Sequence, residues 1–257
     1  MSTAKAPWQG PLCSDRIALV TGGAGAIGAA TCRALADHGA DVVVADRAGD
    51  RVAQVVAEVE ARGRRALGVT TDLVEPGAIE ALVARANEAF GRIDILVNAL
   101  GEHLALSAPF ERSDEQGWDR LYRVNLLATM QATHAVVPGM RARRWGRIVN
   151  FSSVEGIRAM PNASPYTAFK GAIDSFTKSL GVELAGDGIR VNAIAPGWVA
   201  TPGTIAGGRI DEAVKAVPLG RAAAPEEIAD WVWNLARNPG GYLTGETVVV
   251  SGGLVMR

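Results

Sequence analysis

"RIALVTGGAGAIG", residues 16–28, carries three structural instructions in one stretch. The apolar run from Arg16 to Thr21 reads as a strand, a glycine-rich turn follows, and an Ala-rich segment of helical period opens after it. A strand, a tight turn and a helix in that order set the helix N-terminus at the carboxyl end of the strand. Backbone N–H groups and a partial positive charge there suit the pyrophosphate of a dinucleotide. The glycines let that backbone come close. The motif can be read in three registers: Gly23, Gly25 and Gly28 give G-x-G-x-x-G, and Gly22, Gly25 and Gly28 give T-G-x-x-G-x-x-G. Gly22, Ala26 and Gly28 give T-G-x-x-x-G-x-G with alanine at its middle glycine. Any tight strand-to-helix turn also uses glycine, so the context decides.

The same rhythm continues along the chain. Apolar runs at residues 41–45, 65–70, 93–98, 147–152, 189–194 and 247–250 alternate with Ala-rich helical segments, without low-complexity linkers. Nearly continuous apolar strands between helices imply an α/β fold, a doubly wound parallel seven-stranded sheet with helices on both faces. The 257 residues fit one domain over 15–257, with 1–14 as an N-terminal arm. The 30 glycines and 48% apolar residues suit tight packing of such a sheet.

A net charge of −1 gives no general case for nucleic acid or a membrane surface. The basic run "RARRWGR", residues 141–147, is expected as a solvated cap on a long helix, away from the ligand edge of the sheet. Cys13 and Cys32 have no metal or disulfide spacing, and His38, His103 and His134 have no ligand spacing, so no metal is expected. No signal peptide or bilayer-spanning run is evident, which points to the cytoplasm.

Two further patterns carry chemistry. Asp46 closes the second strand, where an acid accepts hydrogen bonds from adenosine ribose hydroxyls and repels a 2′-phosphate; this favours NAD over NADP, with Arg47 a partial offset. In "SPYTAFK", residues 164–170, Tyr166 and Lys170 lie four apart, on one helix face. Ser164 is expected as the N-cap with Pro165 in the first helical position. A free phenol titrates near ~10, and a fixed ammonium beside it favours the phenolate, which makes the pair a tunable general acid/base.

Together these motifs resemble the short-chain dehydrogenase/reductase family, over nearly the whole chain from about residue 15. The resemblance implies a Rossmann sheet and an active site of Asn125, Ser153, Tyr166 and Lys170. Ser153 of "NFSSVEG" is selected over Ser152 because it lies thirteen residues before the tyrosine. It also implies cofactor contacts from Gly22, Gly25, Ala26, Ile27 and Gly28, from Asp46, from Asp72 and Leu73 at the adenine, and from Asn98 and Gly101. Tyr166 and Lys170 would reach the ribose side, and Pro196, Val199 and Thr201 of "PGWVAT" the carboxamide. Tyr166 would exchange the substrate proton, Lys170 would lower the Tyr166 pKa, Ser153 would hold the substrate oxygen, and Asn125 a relay water. His103, Glu155, Arg158 and Trp198 follow strand ends or motif positions and are candidates for the substrate pocket.

Two departures stand out. The family's N-N-A-G is "NALG" here, so Ala99 replaces an asparagine that braces the sheet, and Ser251 replaces the usual acid of D-G-G. A homotetramer is implied, through helices at about 114–140 and 164–185 and through the C-terminal strand. The T-G-x-x-G-x-x-G register also resembles sugar-nucleotide epimerases and dehydratases, but those need a larger C-terminal domain and a more distant serine or threonine. A non-catalytic NAD-binding redox sensor is the other reading, against which the complete Ser–Tyr–Lys–Asn set argues. "AATCRALADHGA", "HAVVPGM", "PLGR" and "SGGL" are similar to 2-hydroxycyclohexanecarboxyl-CoA dehydrogenases, and with the short, mostly apolar segment 198–217 this implies an apolar, cyclic or acyl skeleton that carries a bulky remote portion. Arg158, Arg209 and Lys215 would then be the cations available to a carboxylate or CoA phosphate.

Overall fold

The computed structural model describes residues 13–103, 106–206, 208, 210–237 and 241–256. Most of the expected arm, residues 1–12, and Arg209 fall outside them. Seven strands form one parallel sheet: β1 (Ile17–Thr21), β2 (Asp41–Asp46), β3 (Ala66–Thr70), β4 (Ile95–Asn98), β5 (Gly146–Phe151), β6 (Ile189–Pro196) and β7 (Thr247–Val250). Their order is β3-β2-β1-β4-β5-β6-β7. The order reverses between β1 and β4, and a crevice opens at their carboxyl ends, where ligands bind in open α/β sheets.

Alternation within each strand feeds two cores. Ala18 and Val20 of β1, with Val42, Val44, Ile95 and Val97, pack under α1 (Ala26–Asp37), α2 (Gly49–Glu60) and the later helix at Pro225–Ala236. Ile17 and Leu19, with Val43 and Leu96, face α3 (Ala78–Phe90) and the long helices between β4 and β6. Every interior strand is covered on both sides, so period-2 polarity is absent and the strands read as apolar runs.

The first long helical segment is α4 (Glu115–Tyr122), a π-helical turn (Arg123–Leu127) and α5 (Ala128–Ala142). The expected long helix at about 114–140 therefore runs through, widened for one turn where it holds Asn125. The second is α6 (Ser164–Glu183), followed after β6 by α7 (Pro202–Ala206), α8 (Ile210–Ala213) and α9 (Pro225–Ala236). Ala163, not Ser164, is the N-cap of α6. Ser164 and Pro165 are thus the first two helical residues, which still leaves Tyr166 in the first turn and Lys170 in the second.

Arg141, Arg143 and Arg144 are exposed at the end of α5, as expected of a solvated cap, and Arg147 departs from it. Arg141 pairs with Asp187 at 2.7 Å, and Arg143 donates to the Ile93 carbonyl at 2.7 Å. Arg147 belongs to β5 and is buried, its guanidinium 4.5 Å from the Trp145 ring. Its position inside a central strand leaves it no route to solvent. Cys13 and Cys32 are buried free thiols, and burial raises the pKa of each.

Candidate active site

The glycine turn is built by two close approaches. Gly22 has φ +65°, and a Cβ there would lie 2.8 Å from the Leu100 amide nitrogen. A Cβ on Gly28 would lie 2.1 Å from the Gly22 carbonyl oxygen. Only hydrogen fits at both positions, so α1 seats directly on the loop and points its N-terminus into the crevice. Gly25 is the N-cap of α1 and Ala26 its first residue. Ile27 is half-buried and packs against the core.

The cleft at the β1/β4 reversal has a volume of ≈ 280 Å³ and is lined by Gly22, Gly25, Asp46, Asp72, Leu73 and Gly101 from the sequence reading. It also takes Arg47, together with Glu102, Arg120 and Arg123, the last three of which that reading passed over. Arg120 and Arg123 lie on the helix approaching Asn125, and their spacing on that helix was the available signal. Arg47 turns toward Glu102, at 3.6 Å, instead of lying beside Asp46 alone. Both oxygens of Asp46 are engaged: Oδ2 accepts from the Ala24 amide at 3.2 Å and Oδ1 from the Ala48 amide at 3.1 Å. The carboxylate thus fastens the glycine loop to the end of β2.

Asn98 does not line this cleft. It is buried, and its amide nitrogen donates to Thr133 Oγ1 at 3.2 Å and Asn150 Oδ1 at 2.9 Å, while Asn150 donates to Thr177 Oγ1 at 3.0 Å. This polar chain through the sheet provides bracing in a protein that has Ala99 next door. Pro196 ends β6, and the segment after it is held by Thr204, whose hydroxyl donates to the Val199 carbonyl at 2.7 Å and lies 3.1 Å from Thr201 Oγ1.

Ser152 and Ser153 separate cleanly. Ser152 is buried and its hydroxyl donates to the Lys170 carbonyl at 3.2 Å, a structural tie between β5 and α6. Ser153 points the other way, accepts from the Glu155 amide at 3.1 Å, and hydrogen-bonds the Tyr166 phenol. Lys170 Nζ donates to the Phe151 carbonyl at 2.9 Å and lies 5.7 Å from the Tyr166 ring centroid. Burial pulls the Lys170 pKa down to about 8, and Asp174 offsets part of that.

The Tyr166 phenol differs from the expected direction. Burial pushes its pKa up, the Glu155 carboxylate adds to the rise, and the Ser153 hydrogen bond offsets only part. The Lys170 ammonium is committed to the Phe151 carbonyl, so in this protein alone desolvation outweighs it.

Asn125 sits in the π-helical turn. Its amide nitrogen donates to the Glu102 carbonyl at 2.8 Å and to the Leu121 carbonyl at 3.1 Å, and its Oδ1 accepts from the Glu102 amide at 3.2 Å. Gly101 lies between it and the lysine: a Cβ there would be 3.0 Å from Lys170 Nζ and 3.2 Å from Asn125 Oδ1. Of the substrate candidates, His103 and Glu155 converge on Tyr166. The His103 ring is 4.6 Å from the tyrosine ring, and its Nε2 is 3.8 Å from Glu155 Oε2. Arg158 is exposed and Trp198 half-buried, and among the described residues no hydrogen bond or ring contact joins either to this group. Lys215 pairs with Glu212. Among the described residues no three His, Cys, Asp or Glu side chains gather as a metal site, and no helix is long and apolar enough to cross a membrane.

Comparison with known proteins agrees with this geometry. Residues 19–255 match the enoyl-(acyl carrier protein) reductase family. The chain is 42% identical over 264 residues to the short-chain reductase protein NovJ of Streptomyces niveus, covering 98% of both proteins. It is 36% identical over 243 residues to the 3-oxoacyl-(acyl-carrier-protein) reductase FabG of Thermotoga maritima, covering 94% of this chain and 98% of that one. It is 38% identical over 250 residues to the cis-4-hydroxycyclohexanecarboxylate dehydrogenase of Sinomonas cyclohexanicum, covering 95% and 98%. The glycine loop, the reversal cleft and these full-length similarities establish that the chain belongs to the short-chain dehydrogenase/reductase family, as an oxidoreductase that acts on CH–OH groups of small molecules with a nicotinamide cofactor.

Proposed function

We propose that this enzyme interconverts a secondary alcohol and a ketone on an apolar, cyclic or acyl skeleton, with NAD preferred over NADP, and that residues 15–257 work as one domain. The observation that carries the reading is the cluster at the carboxyl end of β5, where Ser153 hydrogen-bonds Tyr166 and Lys170 lies buried beneath. The residues present fit a dinucleotide. Gly22 and Gly28 let the loop and α1 pack backbone against backbone, and Gly22, Gly25 at the N-terminus of α1 and Asp46 at the end of β2 all line the cleft. Gly22, Gly25, Ala26, Ile27 and Gly28 would hold the pyrophosphate, Asp46 the adenosine ribose, and Asp72 and Leu73 the adenine. Pro196, Val199 and Thr201 would flank the carboxamide. When bound, the nicotinamide supplies the site that takes or gives hydride.

The protein's own residues handle the proton. Tyr166 Oη takes the hydroxyl proton during oxidation and returns it during reduction, while Ser153 holds the substrate oxygen against it. Lys170 and Asn125, facing each other across Gly101, form the path by which that proton leaves. A positive charge near Lys170 and Tyr166 on cofactor binding opposes the rise that burial imposes on the phenol. A relative named for a hydroxycyclohexanecarboxylate supports a ring-bearing substrate. A homotetramer fits the exposed edge of β7 and the fully presented Val182 on α6, 82% exposed.

Steady-state kinetics with purified enzyme, NAD and NADP and a panel of cyclic secondary alcohols test the reading. The expected result is at least a roughly tenfold preference for NAD in kcat/KM, about 1.4 kcal/mol. Equal use of both cofactors removes the assignment of Asp46, and a monomeric mass by light scattering removes the tetramer.

A further inference from the structure

Glu155 is set into the site by its backbone. Ser153 is extended, with φ −159°, and caps the short 3-10 turn Val154–Gly156 that follows it. The Glu155 amide donates to Ser153 Oγ. Gly156 presses on α6 so closely that a Cβ there would lie 2.9 Å from the Gly171 amide nitrogen. Glu155 is thereby fixed to both elements that carry Ser153 and Tyr166.

Its side chain is less well provided for. Glu155 Oε2 is buried and no donor of the described residues hydrogen-bonds it. His103 Nε2, at 3.8 Å, is beyond hydrogen-bond reach. A buried carboxylate oxygen left without a donor is costly. Elsewhere in this protein such carboxylates are amply paired: Asp94 takes an amide and the Arg92 guanidinium, and Asp41 takes Arg64 and Arg65. Glu155 stands against the phenol, walled on one side by the His103 ring that packs on Tyr166.

We propose that Glu155, with His103 as its wall, is a subsite for a hydrogen-bond donor that the substrate carries beside its reacting carbinol, a hydroxyl or an amino group. The proposal rests on the dehydrogenase reading above and narrows its substrate class from a simple cyclic alcohol to a vicinal diol or amino alcohol. Such a donor satisfies Oε2 and orients the neighbouring carbinol toward Ser153 and Tyr166. It also offsets the Glu155 charge that burdens the phenolate, so substrate binding itself eases proton removal from the carbinol. A carboxylate at that position is repelled, and an ether leaves Oε2 unpaired.

The test uses trans-cyclohexane-1,2-diol, 2-aminocyclohexanol and 2-methoxycyclohexanol, with NAD and NADP. For wild type, kcat/KM for the diol or the amino alcohol should exceed that for the methyl ether by roughly tenfold or more. Glu155→Leu should bring the ratio to within about twofold. Glu155→Gln keeps the size and one acceptor, so it should retain more of the preference for the diol than for the amine; the wild-type order of those two identifies the donor. Calorimetric binding of the same compounds to the Tyr166→Phe enzyme with NAD reads the subsite without turnover. An ether bound as tightly as the diol, a ratio unchanged by Glu155→Leu, or no binding of any compound at millimolar concentration overturns the subsite. A binding preference that persists while wild type oxidises none of the alcohols upholds the subsite and removes the cyclic secondary alcohol of the proposed function instead.

Discussion

The two ends of the sheet treat buried charge in opposite ways. At the amino ends of the strands, Asp94 is 1% exposed, accepts from the Ile17 amide at 3.1 Å and from Arg92 Nε at 2.9 Å, and has Arg16 and Arg143 within 3.9 Å. Asp41 lies nearby; burial would raise its pKa, but hydrogen bonds from Arg65 and the charges of Arg64 and Arg65 hold it below the ordinary carboxylate value. At the carboxyl ends burial wins. The Tyr166 phenol is pushed up, the Lys170 ammonium is pulled down, and Glu155 Oε2 is left without a donor. The amino edge stabilises these two carboxylates, while the groups around Tyr166 are left uneasy, which is the condition for a group that must gain and lose a proton.

The largest effect should come from the uneasy edge. Tyr166→Phe removes the proton-transferring oxygen and keeps the ring, so kcat/KM should fall by about 10³-fold. NADH affinity, followed by fluorescence titration, should stay within about twofold, since the ring still fills its place. Near-normal turnover in this variant would erase the functional half of the contrast.

The opposite edge should answer in stability. Asp94→Ala strips the partner from several arginines and an amide, and should lower the unfolding free energy by about 3 kcal/mol in urea titrations. The folded fraction should keep kcat/KM within about threefold, because no substrate group lies there. A large loss of activity at unchanged stability would invert the assignment of the two edges.

Lys170 offers a pH-resolved version. The folded protein holds this proton more weakly than the unfolded chain, so the penalty is complete below about pH 8 and fades as pH rises toward the ordinary lysine value. Lys170→Met should therefore be more stable than wild type at pH 7. That advantage should shrink by about 3 kcal/mol by pH 10, measured by denaturant unfolding at each pH. An advantage independent of pH would assign the difference to packing.

The smallest effect sharpens the contrast within the site. Gly101→Ala pushes a methyl group between Lys170 Nζ and Asn125 Oδ1. It should lower kcat about tenfold, ~1.4 kcal/mol, with a melting temperature close to wild type. Unchanged kcat would remove Asn125 from the proton path.

Why some of this was legible in the sequence, and some not, follows from range. The strands could be read because burial on both faces leaves an apolar run, and only their ends moved, as where β6 runs on to Pro196. Gly22 and Gly28 could be read because no other residue fits two such close approaches. The π-helical turn could not: Arg-Val-Asn-Leu-Leu contains no glycine or proline, and the Asn125 bonds to Glu102 that accompany it are tertiary. Ser164 looked like a cap by residue type, yet Ala163 holds that place, for the helix starts one residue early relative to local preference. Glu155 and His103 were visible as neighbours of motifs, but the unmatched oxygen arises only from what surrounds it.

The double attachment of Asp46 sets the terms on which this enzyme can be re-engineered. An alanine at position 46 removes the charge that opposes a 2′-phosphate and, in the same stroke, releases the Ala24 and Ala48 amides it was holding. Selectivity and loop order are one variable at this corner. A broadened cofactor range therefore arrives with a looser glycine loop and weaker retention of either cofactor. Asparagine is the compromise, because its single carbonyl keeps one of the two amides in place while giving up the charge.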